Sequence, residues 1–454
     1  MRYYSTRSKA EGVSFAQAAL TGLAPDGGLF VPEVIPPYPK TVRSSLGTMD
    51  FHDIAFETIK PYVHGEIPDP VLEDLVHAAY PFAAPLVPVG DRLVLELFHG
   101  PTGAFKDFGA RFMARAFAYL RRGEEKPLHI LVATSGDTGG AVAAGFYRVE
   151  GIEVTVLYPK GRVSPLQERQ IAGLGGNIKA VAVVGSFDDC QRLVKTAFGD
   201  QGLQKRQALS SANSINISRL IPQGIYYAAA AGKAFAGKAD SPPEGSPWAS
   251  LRVVSPGTGA PKPGQPITFC VPSGNFGNLT AGLYAMKMGA PIRGFIAATN
   301  SNKTIPDYLA DGVYRPRPSQ ATISNAMDVG APSNFERMSA HWSLEELRRI
   351  LQGVWVSDEA TRRIIRQVHH TQGYFLDPHT GVAWQGLDQL HGSPPSFTEP
   401  VGILATAHPA KFAEILEPLT GPVPVPVSLK QVMEREPLAR IIPADISALL
   451  EVLC

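Results

Sequence analysis

From residue 128 onward, short unbroken apolar runs alternate with stretches whose apolar positions recur at helical spacing. Residues 128–134, 153–157, 179–184, 208–211, 267–271 and 294–298 read as strands, and 141–149, 167–174, 187–198, 218–235 and 279–288 as the helices between them. Strands that are apolar on both faces belong inside a covered sheet, and a strand–helix–strand rhythm makes that sheet parallel. The fold class predicted is therefore α/β, in two doubly wound parallel-sheet units. Earlier in the chain, the apolar run 93–97 leads into a Gly/Pro-punctuated loop and then a helical pattern over 111–122. Residues 343–351, 357–371 and 381–390 read as helices, and 401–405 as one more apolar strand.

Interruptions of this rhythm suggest the domains. Residues 1–90 carry helical and Pro-rich pieces and read as an N-terminal subdomain. Residues 131–224 form a small α/β domain, and 91–130 together with 225–454 a large one. Within the large domain, 238–266 is rich in Pro, Gly and Ser and reads as a flexible insert.

Composition narrows the class. A chain of 454 residues exceeds what one core usually holds. A net charge of +1 gives no basic surface for nucleic acid or membranes. No apolar run approaches the ~18 residues that span a bilayer, and Met1-Arg2-Tyr3-Tyr4-Ser5 lacks the apolar core of a signal peptide. Cys190, Cys270 and Cys454 form no paired spacing, so neither zinc nor a disulfide framework is indicated. His369 and His370 are adjacent on a helix, face different directions and cannot share a metal. A cytoplasmic enzyme without a metal is the expectation.

Four segments carry candidate chemistry. Lys106 lies between Phe105 and Phe108 at a strand-to-helix junction, where desolvation makes an amine nucleophilic; one such loop also suits an ordinary surface lysine. Ser273-Gly274-Asn275-Phe276-Gly277-Asn278 follows a strand and opens a helix, so its backbone N–H groups suit an anion or a plain capped turn. It is not a dinucleotide fingerprint. Ser135-Gly136-Asp137-Thr138-Gly139 has the same setting and suits a carboxylate or phosphate, or simple N-capping. Asn213-Ser214-Ile215-Asn216-Ile217-Ser218-Arg219 combines small polar groups with an arginine, as a doubly charged phosphate requires, although a cap plus a surface ion pair fits equally.

Taken in order along the chain, these segments resemble the threonine synthase family, in its longer bacterial and fungal branch. The resemblance rests on His99-Gly100-Pro101-Thr102-Gly103-Ala104-Phe105-Lys106-Asp107 and the three segments just quoted. Ser324-Asn325-Ala326-Met327-Asp328-Val329-Gly330, Asp377-Pro378-His379-Thr380 and Ala405-Thr406-Ala407-His408-Pro409 extend it over nearly the whole chain. It implies the tryptophan synthase beta-like fold type II and the cofactor pyridoxal 5'-phosphate. It implies a carbon–oxygen lyase that converts O-phospho-L-homoserine and water to L-threonine and phosphate.

By the same resemblance, Lys106 is catalytic and carries the cofactor. Asp137, Ser273, Gly274, Asn275, Phe276, Gly277, Asn278 and Thr406 surround the cofactor, with Thr406 facing its ring nitrogen. Ser135, Thr138, Ser214, Asn216, Arg219 and Lys303 meet the substrate. His379 and His408 sit in motifs without an assigned role. Gly103 stands where relatives carry a larger apolar residue, and extra backbone freedom there is expected to loosen the lysine loop. The assembly expected is a monomer, with a dimer left open. The alternatives are a related lyase, of the serine/threonine deaminase or sulfhydrylase type, and a catalytically idle paralogue.

Overall fold

The computed structural model describes residues 1–9, 11–241, 261, 263–391 and 399–453. Near the N-terminus, β1 (Tyr3–Ser5) pairs antiparallel with β2 (Phe30–Pro32). The hydroxyl of Tyr3 donates to Tyr62 O at 2.7 Å, and Phe15, Ile59 and Tyr62 share one contiguous apolar core with Phe108, Ile217 and Leu283.

Next come β3 (Leu86–Val89) and β4 (Arg92–Glu96), an antiparallel pair at one end of the larger sheet. The smaller sheet follows, with β5 (Leu128–Ala133), β6 (Ile152–Pro159), β7 (Ile178–Val184) and β8 (Ala208–Ser211). The chain then returns to the larger sheet as β9 (Ile267–Pro272), β10 (Ile292–Thr299), β11 (Leu351–Trp355) and β12 (Val401–Ala405). It ends through β13 (Ala439–Pro443), which joins the smaller sheet beside β7. The strand orders are β11-β10-β9-β12-β4-β3 and β13-β7-β6-β5-β8. Only the β3–β4 pair in these two sheets is antiparallel. This is the expected pair of parallel units. β4 and β12 are buried along their whole length, as strands covered by helices on both faces must be.

Three local readings are corrected. The helix expected over 111–122 begins at the lysine itself and runs Lys106–Leu120. The single helix expected over 218–235 is broken into Ile217–Leu220, a tight turn Ile221–Gln223 and Gly224–Phe235. Pro222 lacks the N–H that a continuous α-helix needs there. The third difference is an omission: strands β11 and β13 are not among the elements expected from the sequence. Most of the 238–266 insert lies outside the described residues. At its near end, Asp240 N donates to Leu86 O at 2.7 Å, and its carboxylate accepts from Leu86 N at 2.8 Å and pairs with Lys233.

Because the strands are parallel, the loops at the carboxyl ends of β4, β9, β12, β5 and β8 all open toward one cleft between the sheets. That is where open α/β sheets place their ligands.

Candidate active site

A cavity of about 350 Å3 occupies this cleft. Lys106, Asp137, Arg219, Gly274 and Thr406 all line it, so segments scattered from residue 106 to residue 406 meet in one place.

The lysine loop is pinned to the segment after β12. Leu97 N donates to Ala405 O, Phe105 N to Thr406 O and His408 N to Gly103 O, at 2.8–2.9 Å. Gly103 has φ +65°, and a Cβ there would approach His408 Cβ at 3.2 Å. Glycine therefore lets the loop reach its anchor. Within the loop, Thr102 donates through N and Oγ1 to the buried Asp107 carboxylate at 2.9 and 2.8 Å. Burial pushes the Asp107 carboxyl up to about 6. The amine of Lys106 lies 4.7 Å from the centre of the Phe105 ring. Phe108 does not flank it as expected, but turns into the core against Tyr80 and Tyr226. Enclosure by protein, first, then Arg219 and Lys411 bring Lys106 down to about 8, against the pull of Asp137 and Asp377.

The loop after β9 is built as an anion cradle. Ser273 Oγ donates to Asn278 Oδ1 at 2.7 Å, and Asn278 Nδ2 donates to Pro272 O at 3.1 Å. These two side chains shape the turn; Ser273 itself does not line the cavity, whereas residues 274–278 do. Among the described residues, the N–H groups of Gly274, Asn275, Phe276 and Gly277 have no protein acceptor. Phe276 adopts a left-handed φ of 59°, which aims successive N–H groups the same way at the start of helix Gly277–Met288. A Cβ on Gly274 would meet Met327 Cα at 2.6 Å. Orphaned backbone donors at a helix N-terminus, on a glycine that cannot be replaced without displacing main chain, fit the phosphate of a bound cofactor.

The loop after β8 is held from beneath. Arg337, fully buried, donates to Phe30 O at 3.0 Å, to Asn334 Oδ1 at 2.7 Å and also to Ile215 O. Ser214 lines the cavity and accepts from Asn275 Nδ2 at 2.6 Å, which ties this loop to the cradle. Asn216 does not line the cavity. Its amide donates to Ala19 O and Ser211 O and accepts from Ser218 N, so it caps helix Ile217–Leu220. Arg219 is 2% exposed; Nη1 donates to Ala212 O at 2.6 Å, and buried Nε has no partner. No carboxylate among the described residues forms an ion pair with it, and burial brings it down to about 10. A desolvated guanidinium left unpaired is a receptor for an anion. Lys303 does not line the cavity either: its amine lies 3.7 Å from Asp307 and over the ring of Trp355.

Ser135, Asp137 and Thr138 line the third wall, at the start of helix Asp137–Phe146. Asp137 Oδ1 accepts from Lys411 Nζ at 2.7 Å and from Gln167 Nε2 at 2.9 Å. Burial works to raise its pKa, but Lys411 and Lys106 prevail and hold it well below the usual carboxylate range.

Several wall residues escaped the sequence reading. His379 faces the cavity: it accepts a bond from Ala326 N at Nε2, so its proton sits on Nδ1, against Asp377 at 2.7 Å. Asp328, pushed up to about 6 by burial, and Arg317 line the cavity from the stretch between β10 and β11. Phe187, Asp188 and Gln191 do so from the helix after β7. The Ser324–Gly330 and Asp377–Thr380 motifs were the available signals for Asp328 and His379.

Two family models match the chain: "Pyridoxal-phosphate dependent enzyme" over residues 89–404 and "Threonine synthase N terminus" over residues 2–80. The threonine synthase of Escherichia coli K12 is 42% identical over 457 aligned residues, 99% of this chain and 98% of the relative. The crystal structure of Escherichia coli threonine synthase has a TM-score of 0.86 at 40% identity, covering 100% of this chain and 99% of that one. A structure of pyridoxal-phosphate-bound threonine synthase from Brucella melitensis has a TM-score of 0.86 at 33% identity, covering 100% and 98%.

Proposed function

We propose a division of labour for this site from one premise: the chain belongs to the threonine synthase family of pyridoxal-phosphate-dependent enzymes. It is a lyase that takes O-phospho-L-homoserine and water to L-threonine and inorganic phosphate. When bound, pyridoxal phosphate supplies an aldehyde for an amine and a ring that accepts the electrons of a broken C–H bond.

Lys106 holds the cofactor and, once its amine is free, moves protons at the substrate's Cα and Cβ. Support comes from its position on the cavity wall and from an amine that is neutral in appreciable fraction near pH 8. The Gly274–Asn278 cradle holds the cofactor's phosphate through its free N–H groups. Arg219, with Ser214 beside it, binds the substrate's phosphate and keeps it as it leaves. Ser135 and Thr138 sit at the start of a helix, where the positive end of its dipole favours the substrate carboxylate. Thr406, which lines the cavity, would offer a hydroxyl in place of a carboxylate to the cofactor's ring nitrogen, and a hydroxyl would not stabilise a proton there. Asn216 supports the Arg219 helix as a cap, and Lys303 is left outside the binding set.

One observation carries this reading: a lysine, an N–H cradle and an unpaired buried guanidinium share one cavity. A deaminase or sulfhydrylase needs the first two and has no use for the third. A monomer is the assembly proposed, as the resemblance to the longer bacterial and fungal branch implies. Action in the cytoplasm is the localisation proposed, since a doubly charged substrate phosphate does not cross membranes unaided. The experiment is phosphate release by purified protein given O-phospho-L-homoserine. Borohydride reduction and peptide mapping, run alongside, should place the cofactor on Lys106. Faster turnover of L-threonine or O-acetylserine, or a label on another lysine, overturns the reading.

A further inference from the structure

One buried lysine, Lys411, and one cavity-lining lysine, Lys106, both act on a single carboxylate in this site, that of Asp137. Lys411 is fully buried just after β12, and its ammonium donates to Asp137 Oδ1 at 2.7 Å and to Thr102 O at 2.9 Å. It does not line the cavity, whereas Asp137 and Lys106 both do. Gln167 Nε2 is a second donor to the same Asp137 oxygen, at 2.9 Å. Thr102 O is fixed in turn by Gln170 Nε2 at 2.8 Å, so the ammonium cannot drift away from its carboxylate. Without Lys411, the cation in this cavity that acts most strongly on the Asp137 carboxylate is Lys106.

We propose that Lys411 is a positioning residue: by occupying the Asp137 carboxylate, it keeps that carboxylate from capturing the Lys106 amine as an ion pair. The amine is thereby left free to take the cofactor and to move protons. This inference rests on Lys106 being the reactive lysine, as argued above. The groups that face Lys106 act in both senses. Asp137 and Asp377 favour its charged form, while Arg219, Lys411 and enclosure by the protein disfavour it. Asp137 in turn feels Lys411 and Lys106. Removing Lys411 therefore takes away one repulsion and releases one attraction, and both changes push Lys106 toward its charged form. Removing the Asp137 charge does the reverse.

The test is competitive acetylation of Lys106 by trace acetic anhydride in the cofactor-free full-length chain, followed by peptide mass mapping across pH. The wild-type midpoint is expected near pH 8. Lys411→Met should raise it by about one pH unit, slowing acetylation near neutral pH roughly tenfold. Asp137→Asn should lower the midpoint, and Lys411→Arg should return it close to wild type. A purely structural role for Lys411 would lower thermal stability and leave the midpoint in place. An unmoved midpoint in Lys411→Met, or a shift of the same sign in Lys411→Met and Asp137→Asn, overturns the proposal. If Lys411→Met does not fold, a midpoint in Asp137→Asn that stays or rises overturns it as well. Failure to release phosphate from O-phospho-L-homoserine would overturn the proposed reaction and leave this titration unaffected.

Discussion

The loops after β9 and β8 both face the cavity and both suit an anion, but they are built in opposite ways. The Gly274–Asn278 cradle offers backbone N–H groups, and its side chains are spent on shaping the turn. The Asn213–Arg219 loop spends its polar side chains on support and presents one unpaired guanidinium. Backbone donors are fixed by the fold and suit a group that stays. A desolvated cation gives a stronger charge contact and suits an anion whose charge must be stabilised as it departs.

The sharpest way to break this contrast is Arg219→Ala. It should cost roughly 2–5 kcal/mol of transition-state stabilisation while the cofactor's absorption band survives. If the variant purifies without cofactor and recovers when cofactor is added, the two loops have been assigned the wrong way round. Next comes Gly274→Ala, whose new methyl would meet Met327 Cα at 2.6 Å. Moving that main chain should cost about 1–3 kcal/mol, seen as weaker cofactor binding with phosphate-release rate restored at saturating cofactor. An unchanged cofactor affinity would remove the cradle from its role.

Asn216→Ala sharpens the contrast within one loop. Losing a buried cap should lower stability by about 1–2 kcal/mol, read by denaturant unfolding, with activity per folded molecule retained. A rise in KM for the phosphorylated substrate at unchanged stability would return Asn216 to the binding set. Lys303→Ala should do least, within about 0.5 kcal/mol in stability and without effect on KM, since its ion pair is partly exposed. A several-fold rise in KM would bring it back to the pocket.

The sequence disclosed local features well. Apolar strands, their following loops and the glycines at 274 and 277 are properties of short segments, and each was readable from its neighbours. Lys106 was readable because its loop is punctuated by Gly100, Pro101 and Gly103. What escaped depends on distant segments meeting. Lys411 finds Asp137 only because the chain after β12 folds against the start of helix Asp137–Phe146, and no spacing announces that. Asn216 and Lys303 look like phosphate ligands by residue type, but their side chains are taken by Ala19 O and Asp307. Phe108 was expected beside the lysine, but the turn of the helix carries it into the aromatic core. The break at Pro222 was legible, and helical spacing on either side masked it.

β12 is wedged between β9 and β4, and the residues that follow it are bonded to the lysine loop. On the ribosome, Lys106 therefore emerges long before the strand that fixes its position. A nascent chain that stops short of residue 405 lacks the centre of its larger sheet and the anchor of its lysine loop. The bonds that hold the lysine loop to Ala405, Thr406 and His408 can form only once nearly the whole chain has been made, so the wall around Lys106 is among the last parts of the molecule to be completed.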